Sequence, residues 1–297
     1  MEALILTLDS ELLSRNIEDY PEGIIIPINK PYRWTSADVI RKVKYAAIRH
    51  FGKKNLKVGH AGTLDPLATG VLLVCIGKAT KLAEELQSHD KEYIAGVTFG
   101  ATTPSYDLEK DIDRFFPHEH ITADAIEEAL PAFIGEQDQI APLFSAKSVD
   151  GVRAYELARK LHAEGKTLDE AAQELIRVAR INITELELTD FVRQSVPLKM
   201  MESNSGIKNA EIKSAGASSR INVTDNSALG LPRAEIRMAC SKGTYVRAFA
   251  RDLGEKLESG AHLDSLQRSR SGQFRVENAL TVEQAMAILQ KPQPAIN

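Results

Sequence analysis

The chain has 297 residues, of which 43% are hydrophobic and 6% aromatic, a composition that suits a folded protein with one large or two modest domains. Its formal net charge of -4 argues against a protein that coats nucleic acid through overall positive charge. The N terminus lacks the features of a secretory signal and no segment reaches the roughly 18 apolar residues of a membrane span, so we expect a cytoplasmic protein with no membrane contact.

The predicted elements begin after an acidic stretch, residues 1–22, which we expect to be an extension of the folded domain. The apolar run from Ile24 to Ile26 predicts a buried strand. Thr35 or Ser36 then caps a predicted helix, whose apolar residues recur at three- and four-residue spacing and which Gly52 ends.

Strands and helices follow without the regular alternation of a doubly wound sheet, which predicts the α+β class. Strands are predicted at 93–99, 181–188 and 234–240, a strand or helix at 71–76, and helices at 122–133, 154–163, 168–178, 245–257 and 281–289. Residues 195–232 are rich in small and polar residues, so we expect a long, mobile insertion there. Cys75 and Cys240 lie in strand-like apolar runs and are predicted to be buried thiols.

A basic run lies between Asp38 and Asp65, a stretch that contains no acidic residue. In an acidic protein such a patch predicts a confined anion-binding surface, and a solvated helix face is the alternative. The positive residues of this run are Arg41, Lys42, Lys44, Arg49, Lys53, Lys54 and Lys57.

The densest chemical signal is the segment from Gly59 to Gly70, in which three glycines permit a tight backbone around a single acid, Asp65. An Asp-Pro pair that starts a helix is the plain alternative, but it does not explain His60 or the glycines.

Two other kinds of site do not fit the sequence. The segment 77–80 fails the spacing of a phosphate-binding loop. His118 and His120 lack a partner set for a metal, and no helix carries two histidines one turn apart, so no metal is expected.

The segment from Gly59 to Gly70 resembles the catalytic motif of the TruB pseudouridine synthases. Six blocks in the family's order cover roughly residues 23–289. The other blocks are Asn29-Lys30-Pro31 with Thr35-Ser36, Lys91-Glu92-Tyr93 with Gly100, Pro142 with Ser145-Ala146 and Gly151 to Glu156, Cys240 to Arg247, and Gly260 to Leu263 with Leu266 and Arg268.

The resemblance implies that Asp65 is the nucleophile, since a carboxylate can add to a carbon of the nucleotide and later leave. The first carbon attacked, C6 of uracil or C1′ of ribose, stays open, as does proton abstraction from the sugar. Tyr93 matches the tyrosine that stacks on the target base, and Arg247 matches an arginine that pairs with the nucleophile. The alternatives are a core aromatic for Tyr93 and an exposed helix residue for Arg247.

The resemblance also assigns residues that bind the substrate. Tyr245 and Leu266 match residues of the base pocket, and His60 matches a histidine that contacts the RNA where the flipped nucleotide leaves its stack. Lys30 is expected to support the floor of the active site or to bind a phosphate. We add from the charge pattern alone that the T-arm backbone contacts Arg41, Lys42, Lys53, Lys54 and Lys57.

The resemblance therefore implies a pseudouridine synthase fold, a curved, mixed and mostly antiparallel sheet flanked by helices, within residues 23–290. The expected activity is isomerisation of the uridine conventionally numbered 55 in the T loop of tRNA, with no cofactor and no metal. No guide RNA is expected, because too few residues follow 289 for the C-terminal RNA-binding domain of the PUA type found in many relatives. A monomer is expected as well.

Several positions depart from the family's usual pattern and put local RNA contacts in doubt. Arg33 stands where a glycine is common, Ser148 replaces a lysine and Gln267 replaces an arginine. The alternatives are a different RNA target, a guide-dependent complex of the Cbf5 type, an RNA-binding protein without catalysis and an aspartate-nucleophile hydrolase.

Overall fold

The computed structural model of the protein describes residues 2–11, 13–142, 148–149, 152–153, 178–193 and 221–290. Contacts divide this part of the chain into two compact units. The first lies within Met1–Ile94 and Leu266–Asn297 and includes Ile221, and the second lies within Ala95–Lys213 and Asn222–Ser265. No helix in the described part is long and apolar enough to cross a membrane.

Strands and helices alternate irregularly along the chain. The strands are β1 (Leu4–Ile5), β2 (Ile24–Lys30), β3 (Val58–Ala61), β4 (Thr69–Ile76), β5 (Lys91–Phe99), β6 (Ala101–Thr102), β7 (Arg114–Phe115), β8 (Gly135–Ile140), β9 (Ser148–Val149), β10 (Val152–Arg153), β11 (Val178–Val192), β12 (Arg233–Cys240), β13 (Ala261–Ser271) and β14 (Phe274–Arg275). The α-helices are α1 (Ser36–Phe51), α2 (Ala83–Ser88), α3 (Ala123–Ala129), α4 (Val246–Lys256) and α5 (Val282–Gln290).

The sheet of the first unit is built around β4. On one side β4 pairs antiparallel with β2, and β2 pairs in parallel with β1. On its other side β4 pairs antiparallel with β3 and, at its first two residues, in parallel with β13. From Val71 to Ile76 every residue of β4 is buried, as a strand covered on both faces requires.

Helix α1 follows β2 because the sequence supplies both of its ends. Thr35 and Asp38 form a capping box, and Gly52 ends the helix in the left-handed conformation at φ 64°. The apolar stripe that includes Val39 and Val43 is buried, while α1 also contacts α5. This packing sets the start of α1 directly after β2, beside the loop that carries Asp65.

In the second unit β11 pairs antiparallel with β12 on one side and with β8 on the other. Helix α3 continues into a 3-10 helix, Leu130–Phe133, where Pro131 removes a donor. Phe133 packs edge-on against Phe249 of α4, with ring centroids 5.4 Å apart, so α4 is anchored at its first turn.

The predicted α+β class is confirmed, and the mixed sheet contains both parallel and antiparallel pairs. The predicted strands and the helices at the starts of α1, α3, α4 and α5 are also found, and the ambiguous segment 71–76 is a strand. Both cysteines are buried. The helix predicted at 154–163 and residues 168–177 of the next one lie outside the described residues.

Three features differ from the expectations. Val178, expected to end a helix, begins β11. Residues 221–232, assigned to the mobile insertion, include the buried Leu231, and the Pro232 carbonyl accepts a hydrogen bond from the Phe99 amide at 2.9 Å. The acidic extension supplies β1 to the sheet and buries Leu6 completely, because its few apolar residues suffice for an edge strand.

Candidate active site

Asp65 lies in the loop between β3 and β4 and is half-buried. Its carbonyl accepts a hydrogen bond from the Ala68 amide at 3.1 Å, which closes a β-turn with Pro66 in the second position. The Asp-Pro pair therefore starts a turn, and the alternative of a helix N-cap does not apply.

Residues 62–66 are here called the Asp65 loop. Each backbone carbonyl of this loop accepts a hydrogen bond within the first unit. Arg268 donates to the first two carbonyls, Ser36 donates to the third, the Ala68 amide donates to the fourth and Lys30 donates to the fifth. A loop has no ladder of its own to satisfy these groups, so this set of donors fixes its path. The backbone that carries Asp65 is thus preorganised.

Ser36, the first residue of α1, makes two of these bonds. Its hydroxyl donates to the Leu64 carbonyl at 3.2 Å and accepts from the Leu64 amide at 3.0 Å. Both atoms of the hydroxyl are used, and Leu64 is pinned directly before Asp65. The helix start and the Asp65 loop are therefore joined by a side chain that is itself buried.

Lys30, at the end of β2, has no exposed surface. Its Nζ donates to three carbonyls, those of Pro31 at 2.9 Å, Trp34 at 2.6 Å and Pro66 at 3.1 Å. Burial lowers the pKa of Lys30 to about 7, attraction to Asp65 opposes this change and repulsion from Arg268 adds to it. Of the two roles left open by the sequence, this environment favours support of the active-site floor over a phosphate contact.

Gly70 lets β13 come close to the Asp65 loop. It has φ 100°, and a Cβ there would lie 2.2 Å from the Arg268 carbonyl oxygen. The parallel pairing of Arg268 with Gly70 depends on this missing side chain. One residue earlier, the Thr69 hydroxyl donates to the Leu266 carbonyl at 3.4 Å, so Leu266 is fixed beside the start of β4.

His60 and Tyr93, two other predicted site residues, also belong to the first unit. His60 lies on β3 opposite Val74 and is half-buried, with no hydrogen-bond partner for its Nδ1 among the described residues. Burial lowers its pKa, and repulsion from Arg268 lowers it further, so the imidazole is neutral at pH 7. Tyr93 lies on β5 and is 8% exposed.

Arg247, in the first turn of α4, is buried in the second unit, which overturns the alternative of an ordinary exposed helix residue. Its Nη1 donates to the Ser105 carbonyl at 3.0 Å, and its Nε lies 3.7 Å from Oδ2 of Asp107. The positive charge near a helix N-terminus is thus offset by a buried carboxylate.

Asp107 is held by its own loop. Its Oδ1 accepts hydrogen bonds from the Ser105 hydroxyl at 2.5 Å and from the Glu109 amide at 3.0 Å. The Thr103 hydroxyl donates to the Asp107 carbonyl at 2.7 Å. These bonds leave Oδ2 directed to Arg247, so Asp107 orients that guanidinium.

Tyr245 directly precedes α4, and a side chain from β8 fixes its backbone. The Gln139 amide accepts from the Tyr245 N–H at 2.8 Å and donates to the Tyr245 carbonyl at 3.1 Å. Gln139 is 3% exposed, so this pair is shielded from water. The start of α4 thereby gains the capping partner that Tyr245 itself does not supply.

The basic run is exposed but partly neutralised. Arg41 pairs with Asp38 at 2.7 Å, and Lys53 pairs with Glu18 of the N-terminal extension at 2.7 Å. The remaining residues assigned to the RNA backbone, Lys42, Lys54 and Lys57, are exposed.

Comparisons with known proteins identify the family. The model of the TruB family pseudouridylate synthase (N terminal domain) matches residues 49–207. The tRNA pseudouridine synthase B of Phocaeicola vulgatus is 47% identical over 265 residues, which cover 89% of this chain and 92% of that protein. The protein of the same name from Thermus thermophilus is 40% identical over 256 residues, 86% of this chain and 75% of that protein. The chain belongs to the TruB family. The expected enzyme class, an isomerase that makes pseudouridine, is therefore confirmed.

Solved structures support the fold of this TruB family member. A Cbf5-Nop10-Gar1 complex aligns with a TM-score of 0.52 at 22% identity, covering 91% of this chain and 58% of that one. An H/ACA RNP bound to a substrate RNA containing 2'-deoxyuridine aligns with a TM-score of 0.52 at 20% identity, covering 94% and 60%. The chain spans about three fifths of these structures, and the likeness confirms the predicted pseudouridine synthase fold.

Four residues that contact a predicted site residue or the Asp65 loop were not predicted to have a site role: Ser36, Asp107, Gln139 and Arg268. All four are buried and act through backbone groups or through another side chain. Arg33, noted as a departure from glycine, has φ 62°, the left-handed region that glycine adopts without strain. No group of three or more potential metal ligands occurs in the described residues.

Proposed function

We propose that the protein isomerises a uridine of tRNA to pseudouridine, at the T-loop position conventionally numbered 55. Family membership supports the reaction, and the relatives named tRNA pseudouridine synthase B support tRNA as substrate. The observation that carries the proposal is the Asp65 loop, in which five consecutive carbonyls are bonded so that one half-buried carboxylate is presented from a fixed backbone.

Asp65 is the proposed nucleophile. Its carboxylate forms a transient covalent bond to the nucleotide and leaves at the end of the cycle. In the net change the N1–C1′ bond breaks and a C5–C1′ bond forms, while C5 loses a proton and N1 gains one. Atoms and electrons balance without an oxidant, a reductant or a metal, so no cofactor is invoked.

The other predicted residues serve this step. Tyr93 stacks on the uracil and assists removal of the C5 proton, and Arg247 pairs with Asp65. Tyr245 and Leu266 line the base pocket. Because the uridine must leave its stack, at a cost of about a few kcal/mol, His60 occupies the vacated place and offsets part of that cost. The neutral state of its imidazole suits contact with neighbouring bases.

The basic run supplies the RNA contact in this proposal. Lys42, Lys54 and Lys57 bind phosphates of the T arm, while Arg41 and Lys53 exchange their carboxylate partners for phosphates. The enzyme acts as a single chain in the cytoplasm, without a guide RNA. Residues 23–290 form the catalytic domain in this proposal, with the insertion near 195–232 inside it.

The test is to map pseudouridine in unmodified tRNA after incubation with the purified full chain. We expect one modified position, in the T loop, and loss of activity by at least about 1000-fold in Asp65→Asn. Asp90→Asn is the matched control, because Asp90 is exposed and bonds through its backbone carbonyl to the Gly272 amide. Pseudouridine at another position would refute the target, and turnover by Asp65→Asn would refute the nucleophile.

A further inference from the structure

We propose that Arg268 is a positioning residue for the nucleophile, acting through the carbonyl groups of the Asp65 loop. The inference rests on the proposed function, because positioning matters only if Asp65 is the reacting group. Arg268 lies on β13, where it is the parallel partner of Gly70 of β4.

Among the described residues, the Arg268 guanidinium donates its hydrogen bonds to backbone carbonyls. The side chain is 1% exposed, and its Nε donates to the Val71 carbonyl at 2.7 Å. Its Nη2 donates to the Gly62 carbonyl at 3.0 Å and its Nη1 to the Thr63 carbonyl at 3.5 Å. Within the described residues no carboxylate forms an ion pair with this guanidinium, so carbonyl oxygens are the partners of this buried charge there.

This arrangement requires the shape of arginine. The planar guanidinium has five N–H groups in a fixed fork and does not lose its proton, so it bridges β4 and the Asp65 loop with one rigid group. Glutamine has only two N–H donors on a shorter side chain for the three carbonyls of Val71, Gly62 and Thr63, and an aliphatic side chain has none. A lysine would supply a positive charge but not the planar arrangement of donors, and would bond only some of the three carbonyls.

The bridge also determines where Asp65 stands. Val71 belongs to the fully buried strand β4, whereas Gly62 and Thr63 begin the loop three and two residues before Asp65. Fixing these peptide groups to the sheet sets the distance of the carboxylate from β4. Arg268 lowers the pKa of Lys30 and of His60, in each case after burial, which places its charge near the same floor.

The experiment compares Arg268→Gln and Arg268→Lys with Arg270→Gln in the full-length protein. Arg270 is the matched control, since it lies on the same strand and its side chain, within the described residues, donates to the Gly272 carbonyl in the next turn, at 3.2 Å. Three quantities are measured: the dissociation constant for unmodified tRNA, the single-turnover rate of pseudouridine formation at saturating protein, and hydrogen exchange of the amides from residue 61 to residue 68.

We expect Arg268→Gln to lower the single-turnover rate about 100-fold, as a misplacement of about 1 Å at a reacting group does, with tRNA affinity within about threefold of the parent protein. Amides of the Asp65 loop should exchange faster while those of β2 do not. Arg268→Lys should retain a rate between those of the parent and the Gln variant, and Arg270→Gln should match the parent in all three measurements.

Two results would overturn the proposal: an unchanged single-turnover rate in folded Arg268→Gln, or a rate loss fully explained by weaker tRNA binding. If Arg268→Gln does not fold, Arg268→Lys decides, because a purely structural role predicts the parent's rate once the folded state is recovered. If the parent protein itself makes no pseudouridine, the proposed function fails, and the hydrogen-exchange comparison still reads whether Arg268 fixes the loop.

Discussion

The burial of Lys30, which bonds to the Asp65 loop, leads to a prediction of how the stability of the protein depends on pH. In the folded protein the pKa of Lys30 is lowered to about 7 from 10.5, mainly by burial. Between these two values the unfolded chain keeps a proton that the folded chain has released. The free energy of unfolding therefore rises with pH through this window. The contribution of Lys30 to the free energy of unfolding is therefore largest above pH 10.5, and it is lost as the pH falls to about 7.

Lys30→Met should remove this dependence. One proton corresponds to about 1.4 kcal/mol per pH unit. The free energy of unfolding of the parent protein, relative to that of the variant, should therefore rise by about 2 to 3 kcal/mol over the two pH units above about 7.5. The side chain is fully buried, so solvent screening does not reduce the figure. The lost bonds to the carbonyls of Pro31, Trp34 and Pro66 add a constant offset, which does not alter the slope.

The assay is urea unfolding of both proteins at several values between about pH 7 and pH 10, with the slope in urea checked for constancy. Lys81→Met, which removes an exposed lysine of the same unit, controls for the loss of one positive charge. The reasoning would be refuted if the stability difference between the parent protein and Lys30→Met did not change with pH, or if it shrank as the pH rose.

Three further changes test neighbouring parts of the site. Gly70→Ala places a Cβ 2.2 Å from a carbonyl oxygen of β13 at positive φ, so it should cost at least about 3 kcal/mol of stability in thermal unfolding, and a near-neutral result would contradict the close approach. Asp107→Asn should lower the single-turnover rate about tenfold or more with little change in tRNA affinity, because Arg247 loses its orienting carboxylate. Glu18→Gln should raise tRNA affinity by up to about threefold at low salt and not at high salt, since Lys53 is released from an exposed pair.

The elements whose ends are marked by capping residues or glycines near in sequence could be predicted. Helix α1 was located by Thr35 at its start, Gly52 at its end and the apolar spacing between them. Strand β13 was missed because its inward side includes His262 and Arg268, which break the apolar alternation on which strand prediction depends. The short β1 was missed because its two apolar residues are too few to stand out in an acidic stretch.

The site shows the same division. Asp65 could be singled out because it is the only acid in a glycine-rich segment, and Tyr93 and Arg247 followed from the resemblance. Asp107 and Gln139 could not be found in this way, because they act on groups far along the chain, Arg247 at a separation of 140 residues or so and Tyr245 at 106. Only the fold brings such partners together, and a backbone carbonyl leaves no mark in the sequence.

Lys30 and Arg268, two buried cations of the first unit, show that the backbone carrying Asp65 is fixed at a cost in stability. Neither Lys30 nor Arg268 has a carboxylate in hydrogen-bonding contact among the described residues, and burial of such charges costs stability. Burial lowers the pKa of Lys30 for the same reason, because it disfavours the charged form. Lys30 donates to one carbonyl of the Asp65 loop and Arg268 donates to two, and a hydrophobic replacement would leave those carbonyls unpaired. The stabilising effect of the cations is therefore local, and it falls on the backbone that carries Asp65.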